Sequence, residues 1–206
     1  MDFLTSETMY WILFAIPSIL IASSFHEYAH AWAATKLGDL TAKINGRLTL
    51  NPLAHIDPIG AISMLILRFG WSKPVPINEY NFERRERDTA LVSLAGPISN
   101  MLLLLITALI NLLLKPTGIA STFVSTFAMV NIVLAVFNLL PIPPLDGHKI
   151  VRAILPQKVR YYWESMEKYQ MILLAILLIP IFPFGSIVSL IMGKVSIFFL
   201  IILGFA

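Results

Sequence analysis

The chain has 206 residues, of which 57% are hydrophobic and only 13% charged, and its mean hydropathy is +0.79. A chain this apolar and this sparsely charged is not an ordinary soluble domain; it belongs in a membrane. Its formal charge is +3 and it contains no cysteine, which excludes disulfides and thiolate metal ligands.

From the N-terminus onward, uncharged stretches occupy residues 8–26, 89–114, 116–145 and 169–193, each long enough for the roughly 20 residues that cross a hydrocarbon core. The head MDFLTSET carries Asp2 and Glu7 and no basic residue, opposite to a secretory leader, so the first span is expected to be retained. Pro17 is expected to kink it. Near the C-terminus, VSIFFLIILGFA after Lys194 is a short further candidate, and PIFPFGS can break the run before it in two. The expected fold is an all-α polytopic membrane protein with about five to six membrane segments.

All fifteen Lys and Arg except Lys115 and Lys194 fall in three clusters: Lys36, Lys43 and Arg47; Arg68, Lys73, Arg84, Arg85 and Arg87; Lys149, Arg152, Lys158, Arg160 and Lys168. By the positive-inside rule these clusters are cytosolic and the turn KPTG is external. Basicity therefore records topology: the expected partner is the lipid bilayer of the cell membrane, crossed several times, and no nucleic acid. Because the first two clusters share a side, IDPIGAISMLILRFG between them cannot cross once. At about 14 residues it fits a re-entrant segment. Just before it, LTAKINGRLTLNP alternates around Asn45 and Gly46, the pattern of a small β-hairpin closed by a type I′ turn.

Within this frame, SSFHEYAHAWAA places His26, Glu27 and His30 near the cytosolic end of the first span. At a rise of about 1.5 Å per residue, His30 lies roughly 9 Å below Lys36, within reach of cytosolic water. Positions four apart share a helix face, so two imidazoles can grip one metal ion while Glu27 projects to the side, where an attacking water would lie. The bland alternative is a pair of core histidines bonded to neighbouring helices, but burying three ionisable groups in lipid for packing alone is costly. A catalytic zinc needs a third protein ligand. Asp146 in FNLLPIPPLDGHK fits: Pro141, Pro143 and Pro144 prevent a regular helix, and the carboxylate can turn toward the first span. It can equally cap the helix GHKIVRAIL, and the two roles are compatible.

These residues are shared with a family. HEYAH at the end of a membrane helix, AGPISN at residues 95–100 and NLLPIPPLDG at residues 138–147 occur in the order seen in the site-2 proteases, and the chain resembles the short prokaryotic members of that family of intramembrane zinc metalloproteases. NPLAHIDPIG and GWSKPVPIN resemble the family's connecting segments. The resemblance implies one Zn2+ per chain held by His26, His30 and Asp146, with Glu27 as catalytic acid/base. It also implies a transmembrane protein substrate cut near the cytosolic face, as in regulated intramembrane proteolysis. On this reading residues 1–206 form a single protease domain, with a catalytic core at about 9–150 and C-terminal membrane segments at about 169–206.

Asn138, two helical turns before Asp146, is a candidate oxyanion donor, with an interhelical hydrogen bond as the alternative. Gly96, Pro97 and Asn100 suit close helix packing and a local bend, and Asn100 is also a candidate substrate contact. The hairpin edge could pair with the backbone of an unwound substrate or serve structure alone. Trp71, Tyr80, Tyr161, Tyr162 and Trp163 read as interfacial anchors, ERRERD as a solvated face, and His55 and His148 as surface histidines. A second functional reading, a membrane zinc-binding or transport protein without proteolysis, uses the same three ligands but leaves Glu27 without a role.

Overall fold

The computed structural model describes residues 6–67, 70–179 and 186–205, and every regular element among them is a helix. Three helices are long and apolar enough to cross a membrane: α1 (Ser6–Lys36), α4 (Arg85–Leu114) and α5 (Gly118–Asn138). Between α1 and α4 lie the short α2 (Thr41–Ile44) and α3 (Pro58–Leu67). After α5 come α6 (Asp146–Ile154), α7 (Gln157–Ser165), α8 (Gln170–Leu178) and α9 (Ile187–Ile202). The expected break at PIFPFGS lies outside the described residues except for its last residue, Ser186. Of the five to six expected segments, three have the length and composition of a full crossing; α3, α8 and α9 are shorter.

Pro17 leaves α1 continuous. Its ring and missing N–H disturb the turn that precedes it, and the chain responds with a widened π turn over Trp11–Ala15, in which the N–H of Ile16 reaches the carbonyl of Trp11. Helix α1 packs on α4, and α4 packs on α5 and α6. Where they meet, the residues are small or slender: Ala22, Ala31 and Ala34 of α1, Val92 and Gly96 of α4, Ala128 and Ala135 of α5 are all buried. Small side chains let backbones approach in lipid, where no hydrophobic force drives helices together. Leu104, Ala128 and Ile132 form a second apolar cluster, closed by Phe199 and Leu200 of α9.

The hairpin is not formed, and no strand exists among the described residues; one isolated antiparallel bridge joins Ile56 and Ser72. Gly46 does adopt a positive φ of 67°, as a type I′ turn would require, but it does so just after the end of helix α2. The N–H of Gly46 bonds the carbonyl of Lys43 and that of Arg47 bonds Ala42, the paired bonds of a Schellman cap. Asn-Gly satisfies either motif locally. Asp39 decides for the helix by accepting bonds from the N–H of Thr41 at 3.0 Å and its hydroxyl at 2.5 Å, which starts α2.

The surface assignments are refined as well. His55 and His148 are buried, not surface histidines. Trp163 is half-buried: its ring stacks on His148 with centroids 5.2 Å apart, and its Nε1–H donates to the His148 carbonyl. Burial pushes the His148 imidazole below its ordinary value, which outweighs the Trp163 carbonyl and Glu167. ERRERD is a largely solvated face as expected, with Glu83, Arg84, Arg85 and Arg87 exposed; only its last residue, Asp88, is buried and accepts the N–H of Arg84 at 3.0 Å, reaching back to cap α4.

Helix α6 is fastened to the start of α4 by Arg152, which is buried and donates to Glu79 at 2.7 Å and Glu86 at 3.2 Å. Burial alone would lower its pKa, but the bond to Glu79 and the charges of Glu79 and Glu86 raise it, so the guanidinium stays charged. Replacing Arg152 by Gln should cost about 3 kcal/mol of stability, because two carboxylates lose their buried partner; thermal unfolding in detergent measures this.

Asp39 gathers the loops that follow α1. Besides Thr41 it accepts the N–H of Asn78 and the amide of Asn81, each at 2.8 Å. Burial pushes its carboxyl up, yet these donors outweigh burial and hold it below the ordinary carboxylate value. A depressed folded pKa stabilises above the unfolded value of about 3.9, and that contribution disappears as pH falls through the folded value. Asp39→Ala should therefore lower the unfolding midpoint clearly at pH 7, with the gap to wild type narrowing below about pH 3; a gap independent of pH would contradict this.

Candidate metal centre

The site begins with a periodicity. Because His26 and His30 lie one turn apart on α1, both imidazoles leave the same face, here toward α4, and both are buried. Each ring is fixed through Nδ1. That of His26 lies 2.7 Å from Asn100 Oδ1, and that of His30 lies 2.7 Å from the Val92 carbonyl. Asn100 donates its amide nitrogen to the Ala22 carbonyl at 3.2 Å and to Asn131 Oδ1 at 3.0 Å, so its oxygen is the atom that faces His26. Both Nδ1 atoms therefore meet acceptors and must carry the proton. In neutral rings the two Nε2 atoms are then left with bare lone pairs.

Those lone pairs converge. His26 Nε2 and His30 Nε2 lie 3.0 Å apart, and Asp146 Oδ2 is 3.2 Å from each. Asp146 is the first residue of α6, and its side chain makes no capping bond; its buried Oδ2 has no hydrogen-bond donor. The capping alternative thus gives way to an oxygen aimed at two nitrogens. Gly147 makes this turn possible: a Cβ there would collide with the carbonyls of Leu139 and Leu140, against which the start of α6 is packed.

Three electron-pair donors at this spacing, buried and without a proton between them, repel one another unless a cation lies among them. Tetrahedral zinc with bonds of about 2.0–2.1 Å holds its ligand atoms roughly 3.3 Å apart, close to the separations here. Two imidazoles and one carboxylate form a borderline donor set that suits zinc and leaves a fourth position open. Among the described residues His26, His30 and Asp146 are the one group of three or more His, Asp or Glu that could hold a metal; His55 and His148 stand outside it.

Glu27 is also buried. Its Oε1 accepts the Ser72 hydroxyl at 2.5 Å and its Oε2 accepts the N–H of Val75 at 3.3 Å. Asn138, the last residue of α5, donates its amide to the Leu134 carbonyl of its own helix at 2.9 Å. Asn100 sits behind His26 as its hydrogen-bond acceptor. Residues not foreseen are Asn131, Val92, Ser72 and Val75. Asn131 carried a readable signal, a polar side chain within an apolar run, where such groups seldom lack a partner; Val92 and Val75 act through backbone atoms and carried none. Gly96 has a sharper role than packing, since a Cβ there would stand 2.5 Å from His26 Cε1 and His30 Nε2.

The model of the family described as Peptidase family M50 matches residues 115–182. The chain is 39% identical over 184 residues to the provisionally named zinc metalloprotease YwhC of Bacillus subtilis (strain 168), covering 85% of this chain and 83% of the relative. It is 27% identical over 175 residues to Rip2 of Mycolicibacterium smegmatis, covering 81% and 67%, and 29% identical over 147 residues to MJ0611 of Methanocaldococcus jannaschii, covering 68% and 71%. Both of these also bear provisional zinc metalloprotease names. No solved structure matches the chain.

Two substitutions probe the support of the ligands. Asn100→Ala should weaken zinc binding by about 10- to 100-fold, as loss of an outer hydrogen-bond partner does. Gly96→Ala should weaken it by at least about 10-fold, because the new methyl group displaces both rings. Competition against a chromophoric chelator measures both; wild-type affinity in both variants would mean that the rings are not held from α4.

Proposed function

Because the chain belongs to peptidase family M50, the site-2 protease family, we propose that it is an intramembrane zinc endopeptidase that cuts transmembrane protein substrates near the cytosolic face, in regulated intramembrane proteolysis. It is a membrane protein and a zinc metallopeptidase; the substrate, the depth of the cut and the orientation are the proposal. The observation that carries it is the convergence of two Nε2 lone pairs and a donor-free carboxylate oxygen, with a buried glutamate between the two histidines in sequence.

His26, His30 and Asp146 would hold the ion, and zinc in that place supplies Lewis acidity to a water and to the scissile carbonyl. Glu27 handles the protons. A carboxylate has about four lone-pair positions, so Glu27 can keep Ser72 and Val75 as donors and still accept a proton from the attacking water, then return it to the leaving amine. Asn100 holds His26 in the Nδ1–H tautomer. Asn138, at the end of α5, is the proposed oxyanion donor once substrate releases its amide from Leu134.

The distribution of Lys and Arg supports a multi-pass arrangement in which α1 and α5 run inward, α4 runs outward, and α3 is re-entrant. Four of its side chains, Ile59, Ile62, Leu65 and Ile66, are exposed and apolar, as a segment that enters lipid requires. With α8 and α9 as further membrane segments, residues 1–206 make one protease domain.

Glu27→Gln separates a protease from a zinc carrier, because it keeps size and polarity while removing the base. Zinc content should stay at one per chain while cleavage of a transmembrane peptide in detergent falls by about 10²-fold or more. Asp146→Ala should lose most of the zinc, and a chelator should abolish cleavage by wild type. A wild type that holds zinc and cuts no helical substrate, or a Gln variant as fast as wild type, would count against the proposal. For orientation, a cysteine at Thr117 should react with a membrane-impermeant reagent outside intact cells and one at Arg85 should not; the reverse pattern would overturn the topology.

A further inference from the structure

Glu27 is held by a segment far away in sequence, and that segment is itself built with care. Residues 71–78 run between α3 and α4 without helix. Ser72 pairs with Ile56 across the isolated bridge, and the N–H of Lys73 donates to the His55 carbonyl at 2.8 Å. The Lys73 carbonyl accepts the guanidinium of Arg47. Arg47 and His55 are both buried: His55 Nε2–H donates to the Thr49 carbonyl at 2.8 Å, which leaves its Nδ1 to accept Arg47 at 3.4 Å. Both backbone groups of Lys73 are therefore committed to a buried Arg–His pair that takes no part in holding the metal. The immediate neighbour of this fixed residue delivers its hydroxyl to Glu27 Oε1 at 2.5 Å, and Val75 delivers its N–H to Oε2.

We propose that Ser72 is a positioning residue for Glu27, and that the Arg47–His55 pair is the device that fixes its register. The inference rests on the protease reading of Glu27. A carboxylate on α1 has several rotatable bonds, and nothing in a helix repeat fixes where its oxygens point. Two donors from one rigid strap leave a single orientation of the carboxylate plane, with the remaining lone pairs free for a proton. General acid/base transfer depends on that placement, since a misplacement of about 1 Å can cost up to 10²-fold. The order of dependence is Arg47 and His55 to Lys73, Lys73 to Ser72, and Ser72 to Glu27.

The test compares Ser72→Ala and Ser72→Thr with wild type, all loaded with zinc, on one transmembrane peptide. Ser72→Ala should keep its zinc and its KM while kcat falls by about 10-fold, and Ser72→Thr, which restores the hydroxyl, should recover most of the loss. His55→Phe, which keeps a ring of similar shape and removes the acceptor facing Arg47, should lower kcat in the same direction. Unchanged kcat in Ser72→Ala overturns the proposal, as does a Thr variant no better than Ala. A second measurement needs no proteolysis: unfolding midpoints of metal-free wild type, Ser72→Ala, Glu27→Ala and the double variant should be non-additive, because the two residues share one bond. Additive midpoints overturn the contact itself. If wild type cuts nothing, the protease reading fails and the catalytic half of this proposal with it, whereas equal cleavage by wild type and Ser72→Ala sinks the role of Ser72 alone.

Discussion

Three electron-pair donors that repel one another have to be held within about 3 Å at a largely buried place in the molecule, and most of the surrounding structure serves that constraint. His26 and His30 bring their Nε2 atoms together only because Asn100 and the Val92 carbonyl fix the opposite nitrogens. Those acceptors lie on α4, so the spacing of α1 and α4 sets the centre. The close approach needs Gly96, whose missing side chain leaves room for both rings. Asn131 then extends the polar chain to α5, which ties a third membrane helix to the tautomer of His26. In lipid such a chain is worth keeping only when complete, since a partly satisfied buried network costs more than an apolar core.

The carboxylate arrives differently. Asp146 sits at the first turn of α6, and the helix reaches it through the Leu139–Leu145 loop instead of a membrane span. Its position is therefore set by what anchors α6, namely Arg152 on Glu79 and Glu86, with Arg160 adding a longer contact to Glu86 at 3.5 Å. Glu79 belongs to the same connection that holds Glu27 through Ser72 and Asp39 through Asn78 and Asn81. One connection between α3 and α4 thus touches the helix of the two histidines, the Glu27 carboxylate and the helix that carries Asp146. A long apolar helix supplies two of the donors and its neighbour α4 aligns them, whereas a short helix supplies the third and polar connections place it.

Much was legible from the sequence alone, for reasons that are local. The three long helices follow from apolar runs of sufficient length, and the shared face of His26 and His30 follows from a spacing of four. Asp146 could be singled out because prolines exclude a regular helix just before it and no cysteine competes for the role. The chemistry of the donor set needed no coordinates. Where an equal local signal fits two structures, reading failed: Asn45-Gly46 suits a type I′ turn and a Schellman cap alike, and the choice was made by Asp39, whose other partners lie about 40 residues away in Asn78 and Asn81.

What only the tertiary structure decided is who meets whom. His55 and His148 look like any loop histidines until Arg47 and Trp163 close over them. Ser72 is an ordinary serine in a loop until the register with Ile56 places it on Glu27. Residue type and period determined which groups were available for chemistry, because those depend on the side chain and its own helix. The orientation of each group was decided by hydrogen bonds to residues distant in the chain, and no local pattern encodes a partner that only folding brings within 3 Å.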